Sequence, residues 1–228
     1  MNFCRKNDPP EKIREKVAEF RREARPVGEL AGMVRAARET GDDEIANLVV
    51  SGALEGFDFS GLNFNRMVFV DCDLQNCDFS RASFMDALWG DSNLSNARFD
   101  HGFFSGCCLL AVKGVGADFT AGRLTGVRIA ACNFQYGNFS RCRCHKLRIE
   151  QSDLSEAVFS ESILQEADFS ESRFNRTTFF RTPLAGIDLT SCEINGLGLS
   201  DSAAELRRAV VSPAQAVELA KLLGVVVK

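Results

Sequence analysis

The sequence predicts an all-β solenoid, a four-sided coil of about 7.5 turns, with an α-helical N-terminal segment and a C-terminal capping helix. Three observations predict it. From Leu54 to Leu199 a large apolar residue returns every fifth position without a slip in phase. Of the 30 positions in this register, only Gly114 and Cys144 are not large and apolar. A strand repeats at about 2 residues and a helix at about 3.6, so neither makes a strict five, whereas a fixed short repeat marks a solenoid. The third observation is a longer period. Every fourth member of the series is phenylalanine in Phe59, Phe79, Phe99, Phe119, Phe139, Phe159 and Phe179, so position repeats every 20 residues. Four pentapeptides then make one turn, and one side of the coil carries a phenylalanine ladder.

The coil occupies residues 52–200. Each unit runs small residue, then Asp, Asn or another polar residue, then the large apolar centre, then often Ser, Thr or Asn. The centre and the small residue point inward, and the small one lets the corner close. The polar residues favour turns by bonding nearby backbone groups. At the spacing of paired strands, about 4.8 Å, 7.5 coils make a rod roughly 36 Å long.

Residues 1–51 read as helical. Asp8-Pro9-Pro10-Glu11 is a cap, followed by an apolar face of Ile13, Val17, Phe20 and Ala24 that ends at Arg25-Pro26. A second helix carries Leu30, Met33, Val34 and Ala37 and stops near Gly41. A third, short helix is expected from Asp42 or Asp43, carrying Ile45, Leu48 and Val49. This segment either caps the open end of the rod or acts as a recognition arm. Residues 201–228 read as strand, helix, strand. Ser212-Pro213-Ala214-Gln215 is a capping box, Val217, Leu219, Ala220, Leu222 and Leu223 form the apolar helix, and Gly224 ends it. Val210-Val211 and Val225-Val226-Val227 read as the flanking strands. The tail needs a partner surface, which is either the last coil or a second subunit.

Composition bounds the function. A net charge of −4 predicts no strong attraction to nucleic acid. No apolar run approaches the roughly 18 residues of a membrane span. The start from Met1 to Glu11 is polar, without the pattern of a signal peptide, and Cys4 lacks a lipidation context, so a cytoplasmic protein is expected. Cys72, Cys77, Cys107, Cys132, Cys142 and Cys192 all fall in the small slot two residues before a centre, where Ala and Ser stand elsewhere. They read as interior filler, kept reduced in a cytoplasmic setting.

No catalytic constellation emerges. His101 and His145 lie at outward positions about two coils apart. In Cys142-Arg143-Cys144-His145 the cysteines point inward and the histidine outward, so they do not converge on one metal ion. Gly114-Val115-Gly116 lacks the strand–helix context of a dinucleotide loop, and Gly114 marks a packing irregularity. The expectation is a non-enzymatic protein without cofactor or metal.

Clear copies of the unit are Cys77-Asp78-Phe79-Ser80-Arg81, Ala117-Asp118-Phe119-Thr120-Ala121 and Ala167-Asp168-Phe169-Ser170-Glu171. In these residues the chain resembles the pentapeptide-repeat proteins over about two thirds of its length. The resemblance implies a right-handed quadrilateral β-helix. The C-terminal segment is similar to the cap of the topoisomerase-binding members linked to quinolone resistance, in which it helps to form a head-to-head dimer. That resemblance implies a homodimer through Val217, Leu219, Leu222, Leu223 and Val225. It also implies a DNA-mimicking partner of DNA gyrase or topoisomerase IV.

The surface offers three features. Val68, Val70, Leu88 and Leu110, with Met85 and Phe103 on the next side, form an apolar strip on which the N-terminal helices are expected to fold back. Arg123, Arg128, Arg143, Lys146 and Arg148 form a basic cluster. Beyond it lies an acidic zone that includes Glu156, Glu161 and Asp168. These charges are either solvated cross-coil pairs, such as Arg148 with Asp168, or a docking site for a charged protein. The 18 acidic and 13 basic residues of the repeat leave it far from the charge of DNA. An interaction scaffold or a regulatory or effector protein with a non-topoisomerase partner is the alternative, and direct nucleic-acid binding ranks below both.

Overall fold

A computed structural model of the chain describes residues 9–222 and 224–227. Each coil adds one short strand to each of two parallel sheets. Sheet A has eight strands, from Arg25–Pro26 through Val49–Ala53 and Val68–Asp73 to Asp168–Ser170. Sheet B has seven, from Glu44–Ala46 to Ile163–Gln165, with six coils between its ends. The other two sides are joined by single bridges such as Asp58↔Asp78 and Asp73↔Asn93, repeated down the rod. The two-sheet ladder is thus shorter than the full run of pentapeptides. Beyond Asp168–Ser170 only single bridges, such as Arg173↔Glu193 and Thr178↔Gly198, continue the coil.

The interior explains the five-residue rule. The seven ladder phenylalanines stack face to face with centroids 4.7–5.3 Å apart and planes within 20°. The coil pitch itself imposes that spacing. Asp or Asn before the centre accepts the backbone N–H two residues on, as Asp78 does from Ser80 at 2.8 Å and Asp153 from Ser155 at 2.9 Å. The small slot does more than leave room. Its hydroxyls and thiols bond backbone groups of the coil before, where the corner interrupts the ladder. Ser162 Oγ donates to the Phe139 carbonyl at 2.7 Å and Cys142 Sγ to that of Phe119 at 3.0 Å. The Cys132 N–H in turn donates to Ser152 Oγ at 3.0 Å. The Phe119 and Phe139 carbonyls also accept turn N–H groups, from Gly122 and Cys142, but the Cys132 N–H has no backbone acceptor, so Ser152 pairs a buried donor that Ala would leave unsatisfied.

The expected third helix is a correction. Glu44–Ala46 and Val49–Ala53 are strands of sheets B and A, and Ile45 and Val50 are buried centres. The reason is a slip in phase. Ile45 pairs with Phe64 and Val50 with Phe69, offsets of 19, while Gly52 pairs with Cys72, an offset of 20. A register shift between Val50 and Gly52 absorbs the missing residue, and Gly52 at φ 110° takes a backbone conformation that favours glycine. The solenoid therefore starts before Leu54, out of step with the count that begins there.

Helix α1 spans Pro10–Phe20, shorter than expected, and Arg25–Pro26 instead pairs with Val50 and Ser51. Asp8 of the expected cap and Cys4 lie outside the described residues. Helix α2, Val27–Thr40, closes the first coil with Val27, Leu30, Ala31 and Val34 buried, and ends at Gly41 in the left-handed conformation. Arg38 ties it to Asp58 at 3.0 Å. Helix α3, Pro213–Leu222, begins at a reciprocal capping box between Ser212 and Gln215. The Gln215 amide also donates to the Leu189 and Cys192 carbonyls, both at 2.7 Å, closing the last coil. The flanking strands differ from expectation. Val210 makes a single bridge with Asp188, and Val225–Val227 lie in no strand; the Val225 N–H instead donates to the Ala220 carbonyl of α3 at 3.1 Å.

Candidate functional site

The four sides differ in what they show to solvent. Sheet A is covered over its first coils by α1. Ile13 and Val17 pack on Val68, Val70, Leu88, Cys108, Leu110 and Ala130, all buried. Val17 sits in a notch at Gly90, where a β-carbon would lie 2.8 Å from each of its methyl groups. Arg21 at the end of α1 reaches Asp71 at 2.6 Å and Asp91 at 2.7 Å. Met85 and Phe103 do not join this contact. They face outward on sheet B, 49% and 37% exposed, because no described helix covers that sheet's outer side at their level.

The basic cluster divides in two. Arg128 does not belong to an exposed patch. Only 6% of it is accessible, and its guanidinium meets Glu150 at 2.6 Å. Arg148 is half-buried beside it and in register with Asp168. Arg123 and Arg143 stand apart on sheet B, fully outward and in register with each other. Lys146 lies 3.9 Å from Glu166, which also meets His145.

The acidic zone is met by arginines one coil on. Arg176 pairs with Glu156, and Arg181 with Glu161 at 3.3 Å. Arg173 bridges Asp153 at 3.7 Å and Glu193 at 3.4 Å. These pairs are largely exposed, so each contributes about 0–1 kcal/mol, and they offset only part of the zone's charge, since three arginines face four carboxylates. Beside them a shallow groove of about 770 Å³ runs down one corner, lined by Lys113, Gln151, Asp153, Glu171 and Arg173 among others.

The eight described cysteines are free and buried. Burial pushes the Cys72 and Cys132 thiols up to about 12 and that of Cys77 to about 11, so these three are not ready nucleophiles. Cys142 and Cys144 are buried, while His145 faces out toward Glu166. Among the described residues no three His, Cys, Asp or Glu side chains gather as a metal site requires. No described helix is long and apolar enough to cross a membrane.

At the C-terminal tip the expected dimer residues separate. Leu219 is buried against the last coil, so it is part of the core. Val217, Leu222 and Val225 are exposed, as are Val210, Val226 and Val227. Leu223 lies outside the described residues.

The family described as pentapeptide repeats matches residues 53–86, 77–109, 142–181 and 152–190, with eight copies. No curated protein matches the chain significantly. Among solved structures the chain is similar to a trypsin-treated form of QnrB1, a plasmid-mediated fluoroquinolone resistance protein. The identity is 24% over 81% of this chain and 91% of that one, at a TM-score of 0.45. It is also similar to HetL, a pentapeptide repeat protein involved in heterocyst differentiation regulation from the cyanobacterium Nostoc. There the identity is 12% over 78% and 93% of the two chains, at a TM-score of 0.36. With its repeats matched in both halves of an unbroken coil, the chain belongs to the pentapeptide-repeat family.

Proposed function

We propose that this chain is a non-catalytic rod that acts by binding other proteins. The observation that carries this reading is the C-terminal tip. Val210, Val217, Leu222, Val225 and Val226 are all exposed there, Val226 to 80%, on a chain whose described thiols are buried and whose acidic zone is partly paired. A cluster of exposed apolar side chains on a soluble surface marks a protein contact. The first candidate for that contact is a second copy, meeting tip to tip. Sedimentation of the intact chain should then give a dimer, and Val217→Asp with Leu222→Asp a monomer.

DNA gyrase or topoisomerase IV is the partner favoured by the resemblance of the C-terminal cap. Charge limits how such a partner would be met. Duplex DNA of the rod's length carries roughly 20 negative charges. The repeat has 18 acidic residues against 13 basic ones, and arginines offset part of the densest acidic zone. That pairing favours the second reading, a scaffold whose partner is not a topoisomerase. A supercoiling assay with gyrase, with and without a quinolone, decides between them. An altered supercoiling yield or altered quinolone sensitivity supports the topoisomerase reading. No effect at tens of micromolar removes it and leaves the scaffold.

A further inference from the structure

The outer side of sheet B carries a column that the repeat does not require. Phe103, Arg123, Arg143 and Ile163 follow one another in register on four successive coils. Phe103 and Ile163 are exposed by 37% and 46%, and both arginines project from the same side. No ion pair of Arg123 or Arg143 exists among the described residues, although Glu161 and Glu166 on the next coil are both engaged. Two like charges in register about 4.8 Å apart repel and weaken the ladder. A shallow hollow of about 170 Å³ lies over them, with Thr125, His145 and Gln165 on its floor and rim.

The neighbouring side shows what such a surface holds. On sheet A, α1 seats Val17 over Gly90, while Arg21, four residues on, reaches Asp71 and Asp91. A helix rises about 5.4 Å per turn, close to the coil pitch of about 4.8 Å, so a helix lying along the rod offers one turn to each coil. On sheet B the same geometry meets the opposite charge.

Resting on the reading of a protein-binding rod, we infer that the column Phe103–Arg123–Arg143–Ile163 docks an acidic amphipathic helix of a partner protein. The pattern it fits is apolar, acidic, acidic, apolar on successive turns, near positions i, i+3, i+7 and i+10. The two outer residues pack on Phe103 and Ile163. The two central carboxylates take the guanidinium groups, where a fork of N–H donors matches a carboxylate. Binding removes the repulsion that the free protein carries.

The test uses the full chain and a fluorescent synthetic helix of about 16 residues, long enough to overhang the roughly 14 Å of the column. It carries Leu at the outer positions and Glu at the central ones. Fluorescence anisotropy should show saturable binding to the intact chain. R123E/R143E should weaken it by about tenfold or more, as loss of close charge pairs does, and a peptide with Lys at the central positions should bind that variant. A melting curve checks that the variant is folded, and Arg123→Gln with Arg143→Gln serves if it is not. Any of three results overturns the inference. These are no binding at millimolar peptide, equal binding by R123E/R143E, and equal binding of a scrambled peptide or short DNA duplex, which would show a mere polyanion site. The supercoiling and sedimentation tests do not involve this column, so the two readings fail separately.

Discussion

Position 114 lacks the interior side chain that the repeat supplies almost everywhere else, and position 134, one coil on, fills the space. A β-carbon at Gly114 would lie 2.1 Å from Cε1 of Phe134, whose fully buried ring meets Phe119 and Phe139 edge to face. The small residue is therefore matched to a large one in the same column. Restoring the five-residue rule at this site should harm the protein. Gly114→Leu is expected to destabilise it by about 1–3 kcal/mol or more through overpacking. Phe134→Leu in the same chain should recover much of the loss. Denaturant unfolding of the two single variants and the double variant measures the coupling, and additive effects would refute the match. The sequence marked Gly114 as irregular because it broke a strict count. The partner was less visible, since the direction in which Phe134 turns depends on packing.

At the scale of the element, α1 is held to the coil by few contacts. It is 11 residues long, too short to be stable alone. Two fully buried side chains, Ile13 and Val17, anchor it, each contributing about 1.5–3 kcal/mol. The Arg21 pairs with Asp71 and Asp91 are exposed and add about 0–1 kcal/mol each. Gly90→Ala should act on this contact alone. Its added methyl meets the stiff Val17, while the strand backbone at Gly90 has no need of glycine. Amides of residues 12–20 should lose hydrogen-exchange protection, and a dye that binds apolar surface should light up, with little change in the melting of the coil. Unchanged protection of α1 would show that Val17 does not depend on the notch. The apolar strip was readable because its residues break the outward-polar habit of the repeat. Met85 and Phe103 shared that habit-breaking but lie on the other sheet, and register alone did not say which side a helix would cover. The slip at Gly52 hid the strands of Glu44–Ala46 and Val49–Ala53 for a related reason. A count of five carries no information across a one-residue deletion.

The whole molecule is a rod whose contacts run from each coil to the next, so its ends decide whether the ladder stays closed. The repeat made the coil, the phenylalanine ladder and the inward cysteines legible. It did not reveal the part played in the C-terminal closure by a carboxylate outside the repeat. Glu205, in the short turn of helix Ala204–Leu206, is 4% exposed. Its carboxylate accepts the Arg181 N–H at 2.9 Å and the Ser200 hydroxyl at 2.9 Å, with the Ser200 N–H at 3.3 Å. Burial pushes its pKa up, but backbone N–H groups of Glu205 itself, Arg181 and Ser200 together with the Ser200 hydroxyl outweigh it and hold it below the ordinary 4.5. A folded pKa below the unfolded one means that the carboxylate form stabilises the fold. Its contribution is complete above pH 4.5 and is lost as pH falls through the folded value. Glu205→Gln should therefore be less stable than the intact chain by about 1–3 kcal/mol at pH 7, the worth of hydrogen bonds to a charged group. That difference should shrink toward zero on acidification, because the intact chain loses what the variant never had. Urea unfolding of both proteins from pH 7 to pH 3 measures it. A gap that stays constant across that range would mean that Glu205 closes the rod by shape and not by charge.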